Sequence, residues 1–224
     1  TQGRLIATHL DSWVFVVMPG FALKDEINTT INAVQLEKAL KGAKNDIILA
    51  QDGHDIKVVS EGFKVTLNGL PSEDYPQSPT LKITNSLTLD SEKFLAAITR
   101  LTYSTIKEDY SSLSGVHIIV SPTGLEMAST DGSRLSRYRD KCVLPPSSSP
   151  EQSFEVTIPA SYLDKFVKSL KGTKDSNVLL EVTEDWASLK MANVTFLVKT
   201  LQTQYPRYNH LIPEYSTCKY SLTF

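Results

Sequence analysis

The sequence contains two copies of one helix-and-strand pattern, and this repeat restricts the possible folds more than any other feature. Residues 33–44 and residues 159–172 both place apolar side chains at helical spacing. Pro159 suits the first turn of a helix, and Gly172 suits its end. The spacing predicts one amphipathic helix in each copy. The apolar positions are Leu36, Ala39, Leu40 and Ala43 in the first copy and Leu163, Phe166, Val167 and Leu170 in the second.

Three strand-like runs follow each predicted helix in the same order. They are rich in β-branched residues or alternate between apolar and polar residues, as strands do. A Tyr-Pro pair closes both sets. The runs are 47–50, 55–60 and 63–67 before Tyr75-Pro76, and 178–181, 185–191 and 194–201 before Tyr205-Pro206. Chance can align one element but not five in order, so the chain is predicted to be a tandem repeat.

The repeat also extends upstream of the helices. Residues 3–17 align with residues 124–138 through a Gly, an Ala and a hydroxyl residue. In the second copy alone, residues 85–104 predict a short strand, an Asp90-Ser91 cap and a further helix. The apolar stripe of that helix comprises Phe94, Ala97, Ile98 and Leu101.

The end of the chain indicates a third copy, because residues 221–224 repeat residues 86–89. The chain also begins with Thr1 rather than Met. We therefore expect a piece of a protein with three tandem units, joined near residues 78–81 and 213–218. Runs of strands interrupted by single helices favour the α+β class, with antiparallel sheets whose helices cover one face.

Composition narrows the class of protein further. The formal net charge of −2 excludes a grossly basic nucleic-acid binder but allows a basic surface on an acidic protein. No apolar run approaches the length needed to cross a bilayer. Two distant cysteines, Cys142 and Cys218, favour a reduced protein, and we expect a cytoplasmic location.

The residues offer little for catalysis. Phosphate-binding, dinucleotide-binding and metal-binding motifs are absent, and the four histidines have no ligand spacing. His117 lies in an apolar run, which is typical of a buried strand histidine. Ser12, Asp11 and His9 cannot converge, because neighbouring residues on a strand point to opposite faces. Asp131 before Gly132 favours a turn. We expect no enzyme activity, metal or cofactor.

Lysines recur beside the apolar stripe of each repeated helix. Such a run usually marks only a solvated face, but its recurrence at matching positions favours a function. A row of basic helices is suited to the phosphates of duplex DNA, which it would contact through charge. Aromatic residues are not interleaved with these lysines, which argues against single-strand binding. The matching residues are Lys38, Lys41 and Lys44 and Lys165, Lys168 and Lys171, and the additional helix and its following loop contribute Lys93, Arg100 and Lys107.

Several short motifs in the second half resemble the bacterial DNA sliding clamp family, the β subunit of DNA polymerase III. They are Thr130-Asp131-Gly132-Ser133-Arg134-Leu135, Val156-Thr157-Ile158-Pro159, Val194-Thr195-Phe196, Tyr205-Pro206-Arg207-Tyr208 and Leu211-Ile212-Pro213. The resemblance covers essentially the whole chain. It implies that residues 1–80 form the later part of domain I, 81–215 form domain II, and 216–224 form the first strand of domain III.

The resemblance implies a non-catalytic processivity factor. The complete protein would be a ring-shaped homodimer with three domains per chain, encircling duplex DNA and sliding along it. Its implied partners are the catalytic subunit of DNA polymerase III, a clamp loader, other polymerases and mismatch-repair proteins. Residues expected to contact DNA are Lys38, Lys41, Lys93, Arg100, Lys107, Tyr110, Lys165 and Lys168.

The resemblance also implies an apolar pocket that accepts a short partner peptide. The half of the pocket contributed by domain II would comprise Leu113, Thr130, Gly132, Ser133, Leu135 and Pro213. For the two leucines, ordinary core packing is an equally good interpretation of the residues alone. The family commonly has histidine at the position of Ser133, which affects the expected choice of peptide.

Two other interpretations are consistent with parts of the sequence. One is a clamp-like scaffold that binds proteins without encircling DNA, which would need the pocket but not the basic helices. The other is a hydrolase that uses Asp131 with a distant histidine, which would need titratable side chains that converge in a cleft.

Overall fold

A computed structural model describes residues 3–18, 27–107, 111–141, 153–170 and 175–213. The described residues divide into two units, one drawn from residues 3–5 and 17–80 and the other from residues 6–16 and 81–213. In chain order the elements are β1 (Gly3–Thr8), β2 (Ser12–Met18), β3 (Thr30–Ile31), α1 (Ala33–Gly42), β4 (Ile48–Asp52), β5 (Asp55–Ser60), β6 (Phe63–Leu67), β7 (Gly69–Leu70), β8 (Asn85–Asp90), α2 (Ser91–Leu101), β9 (Gly115–Ser121), β10 (Gly124–Thr130), β11 (Leu135–Asp140), β12 (Phe154–Pro159), α3 (Ala160–Ser169), β13 (Asn177–Val182), β14 (Trp186–Met191) and β15 (Val194–Lys199).

The first unit consists of α1 and short antiparallel sheets. Strands β4, β5 and β6 pair in that order, and β3 pairs with β7. Helix α1 begins where the Asn32 side chain accepts hydrogen bonds from the backbone of Val34 and Gln35, which satisfies donors that an uncapped helix would leave open. A small core joins the helix to the sheet and contains Ala39, Ile56, Val58 and Leu67.

The second unit contains two larger antiparallel sheets. One has the order β1-β2-β15-β14-β13-β8, and the other has the order β11-β10-β9-β12. Residues 6–16 belong to this unit because Ser12–Val16 of β2 pair with Val194–Val198 of β15. The sequence assigns residues 1–80 to one domain of the tandem repeat, and that boundary stays a prediction.

Helices α2 and α3 share one core with the apolar faces of both large sheets. The predicted stripe of α2 is completely buried, and in α3 the side chains of Leu163 and Phe166 are fully inaccessible to solvent. The Phe166 ring packs edge-on against Phe196, with centroids 5.4 Å apart. Asp90 caps α2 by accepting a hydrogen bond from the backbone N–H of Lys93. These findings confirm the predicted helices, the Asp90 cap and the apolar stripes of the second unit. The predicted end of α3 at Gly172 lies outside the described residues.

The stripe of α1 departs from its prediction at one position. Ala39 is buried, but Leu40 remains 38% exposed. The last turn of this helix lies against β6, where a Cβ at Gly42 would stand 3.1 Å from the Phe63 ring. The helix therefore presents a narrower apolar face to its sheet than the sequence spacing suggested.

Candidate nucleic-acid and peptide interfaces

The basic residues of the repeated helices are exposed and have matching neighbours. Lys41 of α1 pairs with Glu37 at 2.6 Å, and Lys168 of α3 pairs with Asp164 at 2.5 Å. Both pairs join residues four apart, with the acid first, which is the favourable direction on a helix. The repeat seen in the sequence thus extends to the same ion pair at the same place in both helices.

The other predicted DNA contacts on α1 and α3 are also exposed. Lys38 is exposed on α1, and Lys165 is exposed at the matching place on α3. The ammonium group of Lys165 sits 4.9 Å from the centre of the Tyr162 ring. One aromatic residue is therefore interleaved with these lysines, contrary to the expectation from sequence. That expectation missed Tyr162 because its ring reaches Lys165 from the preceding turn.

Helix α2 and its following loop carry the remaining predicted DNA contacts. Lys93 lies 3.5 Å from the Asp140 carboxylate, whose charge raises the pKa of Lys93. Arg100 in the last turn and Lys107 beyond the helix are exposed. Tyr110 lies outside the described residues.

Three of these cations already have carboxylate partners, yet the pairs are weakly held. The side chains of Lys41, Lys93 and Lys168 remain 61–73% exposed. Exposed ion pairs of this kind contribute about 0.2–1 kcal/mol. A DNA phosphate could therefore replace the carboxylate at little cost.

The turn between β10 and β11 brings four of the predicted peptide-binding residues together. Asp131 accepts hydrogen bonds from the backbone of Ser133 and Arg134 at 2.9 and 2.8 Å. Thr130 donates its hydroxyl to the Arg134 carbonyl, and Gly132 has a φ of +87°, which a side chain would disfavour. The prediction that Asp131 serves the turn is confirmed.

Arg134 has a structural role that the sequence prediction missed. Its guanidinium group donates two hydrogen bonds to Asp131 Oδ2, at 2.9 and 2.6 Å. It also lies over the ring of Tyr103, 4.6 Å from the ring centre. The spacing of Asp131 and Arg134 was a usable signal for the ion pair, whereas Tyr103 meets the turn only in the folded chain.

The hydrogen bonds of this turn predict an unusual titration of Asp131. The Arg134 side chain, followed by the two backbone donors, lowers the pKa of Asp131 from 3.8 to about 2. Because the folded-state pKa is depressed, the stabilisation by ionised Asp131 is complete above pH 3.8 and is lost as the pH falls through about 2. Carboxyl-carbon NMR should give this low midpoint in the wild type and a higher one in Arg134→Gln. An ordinary midpoint in the wild type would contradict the turn geometry.

Leu135 lies next to an aromatic cluster formed by the predicted Tyr-Pro segment. It packs, half-buried, against the cluster of Ala128, Tyr205 and Tyr208, which Ile212 also joins. Leu135 and Ile212 thus pack against the same cluster, and exposed Pro213 directly follows Ile212. Leu113 lies in the short 3-10 turn Ser112–Ser114, where its carbonyl accepts a hydrogen bond from the Ile106 backbone.

The His117 side chain packs against Tyr205 of the Tyr-Pro segment. Its ring stacks on Tyr205 with centroids 4.6 Å apart, and its Nδ1 lies 2.9 Å from the Thr157 hydroxyl oxygen. Burial lowers the pKa of His117 and raises that of Tyr205 to about 12. Burial thus disfavours the charged form of both rings. The prediction that His117 is a buried strand residue is confirmed.

A family profile decides the relationship of the chain to known proteins. Residues 88–207 match the family described as DNA polymerase III beta subunit, central domain. This stretch is more than half of the 224 residues. The chain belongs to the DNA polymerase III beta subunit family. The match includes α2, α3 and the turn between β10 and β11, so most of the surfaces described above lie within it.

Individual relatives support the family assignment. The chain is 26% identical over 189 residues to the beta sliding clamp of Synechococcus elongatus, covering 82% of this chain and 49% of that protein. It is 27% identical over 149 residues to the beta sliding clamp of Bacillus subtilis, covering 66% and 38%. The chain thus spans about half the length, or less, of these curated relatives.

Solved structures of the beta subunit share the fold. The DNA polymerase III beta subunit of Thermotoga maritima superposes with a TM-score of 0.84 at 15% identity, covering 95% of this chain and 57% of that one. The polymerase sliding clamp of Bacillus subtilis gives a TM-score of 0.81 at 21% identity, covering 94% and 57%. The predicted α+β clamp fold is confirmed.

The described residues contain neither a metal-binding cluster nor a membrane-spanning helix. No group of three or more His, Cys, Asp or Glu side chains there is arranged to hold a metal ion. Likewise, no helix in those ranges is long and apolar enough to span a membrane.

Proposed function

We propose that the complete protein is a DNA sliding clamp, a processivity factor that encircles duplex DNA as a homodimeric ring. It would tether the catalytic subunit of DNA polymerase III, be opened by a clamp loader, and serve other polymerases and mismatch-repair proteins. In this proposal residues 1–80 are the later part of domain I and residues 81–215 are domain II. Residues 216–224, which lie outside the described residues, begin domain III. Membership of the beta subunit family supports the proposal.

The pairing of β2 with β15 is the observation that carries the ring proposal. By the sequence repeat, β2 corresponds to β11, and β15 corresponds to β6. Among the described residues, β11 and β6 are end strands of their sheets. Each therefore has an outer backbone edge, like the edges through which β2 and β15 pair with each other.

Repeating this pairing would join successive units head to tail. A β15-like strand from a following unit would pair with β11, and a β2-like strand from a preceding unit would pair with β6. Head-to-tail contacts of this kind form a closed ring when the rotation from each unit to the next brings the last unit back to the first. Unpaired strand edges are also a liability that proteins usually cover, which gives the pairing a driving force.

The exposed cations fit the DNA side of the proposal. Lys38, Lys41, Lys165 and Lys168 stand on helices with no base-reading pattern, and Lys93, Arg100 and Lys107 add charge around α2. In a ring that encloses its DNA, weak phosphate contacts suffice and allow sliding. Tyr110 is proposed as a further contact on the family resemblance alone.

The turn between β10 and β11 fits the peptide-binding side. Its exposed Gly132 and Ser133 and the half-buried Leu135 offer backbone and apolar surface, as a pocket for a leucine or phenylalanine anchor requires. Pro213 is included because it follows Ile212, which packs against the same cluster as Leu135. Leu113 is included in the proposed pocket on the family resemblance.

A peptide titration tests this pocket. A labelled peptide ending in a leucine-phenylalanine motif should bind the complete protein saturably, as followed by fluorescence anisotropy. Leu135→Ala should weaken binding about tenfold, because truncating an anchor contact costs more than about 1 kcal/mol. Leu70→Ala, an exposed leucine of the first unit, is the matched control. Equal binding by Leu135→Ala and the wild type would place the pocket elsewhere.

The scaffold alternative makes a different prediction. A clamp-like scaffold that does not encircle DNA would keep peptide binding sensitive to Leu135 but would not be retained on circular DNA. The recurrence of exposed lysines on α1 and α3 favours the DNA clamp, because a scaffold has no need of them.

A further inference from the structure

The second unit contains a cleft separate from the proposed peptide pocket. It has a volume of about 680 Å³ and lies between the turn joining β1 to β2, the segment after α2, the start of α3 and the segment after β15. Sites that bury small ligands or a few side chains commonly have volumes of this order. The residues named for the proposed peptide pocket do not line it.

The floor of the cleft is apolar and held in place by backbone hydrogen bonds. Ile106, Pro159 and Leu201 contribute half-buried side chains. The Ile106 N–H donates to the Leu113 carbonyl at 3.1 Å, and the Leu201 N–H donates to the Thr157 carbonyl at 2.9 Å. The apolar surface is therefore presented in a fixed shape, which reduces the entropy lost when a ligand binds.

The rim of the cleft is positively charged. Lys107, Lys165 and Lys199 line it, and all three are exposed. Of the two aspartates that also line it, Asp164 is engaged by Lys168 at 2.5 Å. When the Asp164–Lys168 pair is set aside, the charged side chains of the lining are three lysines and Asp11. The net charge of the rim is therefore positive.

The start of α3 adds to this positive field. The helix begins after Pro159 without a side-chain cap, and its first turn carries no acidic residue. Its first backbone N–H groups bring the positive end of the helix dipole to the cleft.

From this combination we infer that the cleft is a second docking site, for a partner segment that carries an apolar side chain flanked by carboxylates. The apolar side chain covers Ile106, Pro159 and Leu201, while the carboxylates meet the lysines of the rim. Duplex DNA satisfies the lysines but has no apolar side chain to place on the floor. An acidic, apolar peptide satisfies both features of the cleft.

The inference rests on the proposed function only in assigning protein partners to a clamp. Lys107 and Lys165 are also proposed DNA contacts, so tests of the cleft should not change them. Lys199 lines the cleft and belongs to neither the proposed DNA contacts nor the proposed peptide pocket, so it is the residue to vary. Lys82 is the matched control, because it is an exposed lysine of the same unit outside the cleft.

The experiment uses the complete protein with labelled methyl groups. The probe is a peptide of one leucine and one phenylalanine between pairs of aspartates, and a second peptide replaces the aspartates with lysines. The aspartate peptide should shift the methyl signals of Ile106 and Leu201 saturably, and Lys199→Glu should weaken this binding about tenfold, because reversal replaces attraction by repulsion. Lys82→Glu should bind like the wild type, and the lysine peptide should cause no shift.

Four results would overturn the inference. They are the absence of shifts at Ile106 and Leu201, equal loss in Lys82→Glu and Lys199→Glu, equal binding of the lysine peptide, and shifts caused by a single-stranded oligonucleotide but not by the peptide. The last result would make the cleft a nucleic-acid site. Failure of the proposed peptide pocket would be visible separately, as unchanged Leu135 methyl signals.

Discussion

Replacing Phe166 with alanine is expected to lower the free energy of unfolding of the second unit by about 3–5 kcal/mol. Phe166 is fully buried where α3 meets β15, and its ring packs edge-on against Phe196. Truncation removes the buried ring and leaves a cavity that the surrounding sheets cannot fill. Trp13 and Trp186 both lie in strands of this unit, so tryptophan fluorescence during urea unfolding reports on it directly.

Val167→Ala is the matched control for this experiment. Val167 is the next residue of α3 and only half-buried, so its truncation should cost less than about 1.5 kcal/mol. A loss in Phe166→Ala no larger than in Val167→Ala would show that α3 is not anchored through Phe166.

The double replacement Lys165→Glu and Lys168→Glu is expected to weaken duplex binding by the complete protein about a thousandfold at low salt. Each lost phosphate contact is worth about 1 kcal/mol in water, and reversal adds a similar repulsion. The loss should be the same for two duplexes of unrelated sequence, because the contacts are made through charge. The slope of log K against log salt concentration should fall by about 1 for each lysine lost.

Two controls separate DNA contact from a disturbance of α3. Lys168 pairs with Asp164, so glutamate at this position would also create a repulsion within the helix. Lys165→Gln with Lys168→Gln avoids that repulsion and should still weaken binding, whereas Lys82→Glu should leave it unchanged. A loss confined to one DNA sequence would contradict binding through charge alone.

The elements that sequence could predict are those determined by local periodicity. The stripe from Leu163 to Leu170 and the cap at Asp90 involve residues within a few positions of one another, and the structure confirms both. The strands 55–60 and 63–67 were predicted with the bounds that the structure shows. The family resemblance was carried by short motifs in a fixed order and was likewise confirmed.

The remaining features depend on contacts between distant parts of the chain. Sequence periodicity does not show that β2 pairs with β15, because strand pairing is non-local. The stacking of Tyr103 on Arg134 and the cleft behind Lys199 arise for the same reason. The residues that sequence assigned to the candidate sites stay predictions, and sequence could not show which surfaces distant parts of the chain build together.

Retention on DNA tests the central claim most directly. The complete protein, loaded onto a nicked circular duplex by a clamp loader, should remain bound in high salt through gel filtration and should be released when the circle is cut once. A ring that encloses DNA behaves in this way because salt weakens phosphate contacts but cannot open a topological link. Equal loss from circular and linear DNA would show that the protein does not encircle the duplex.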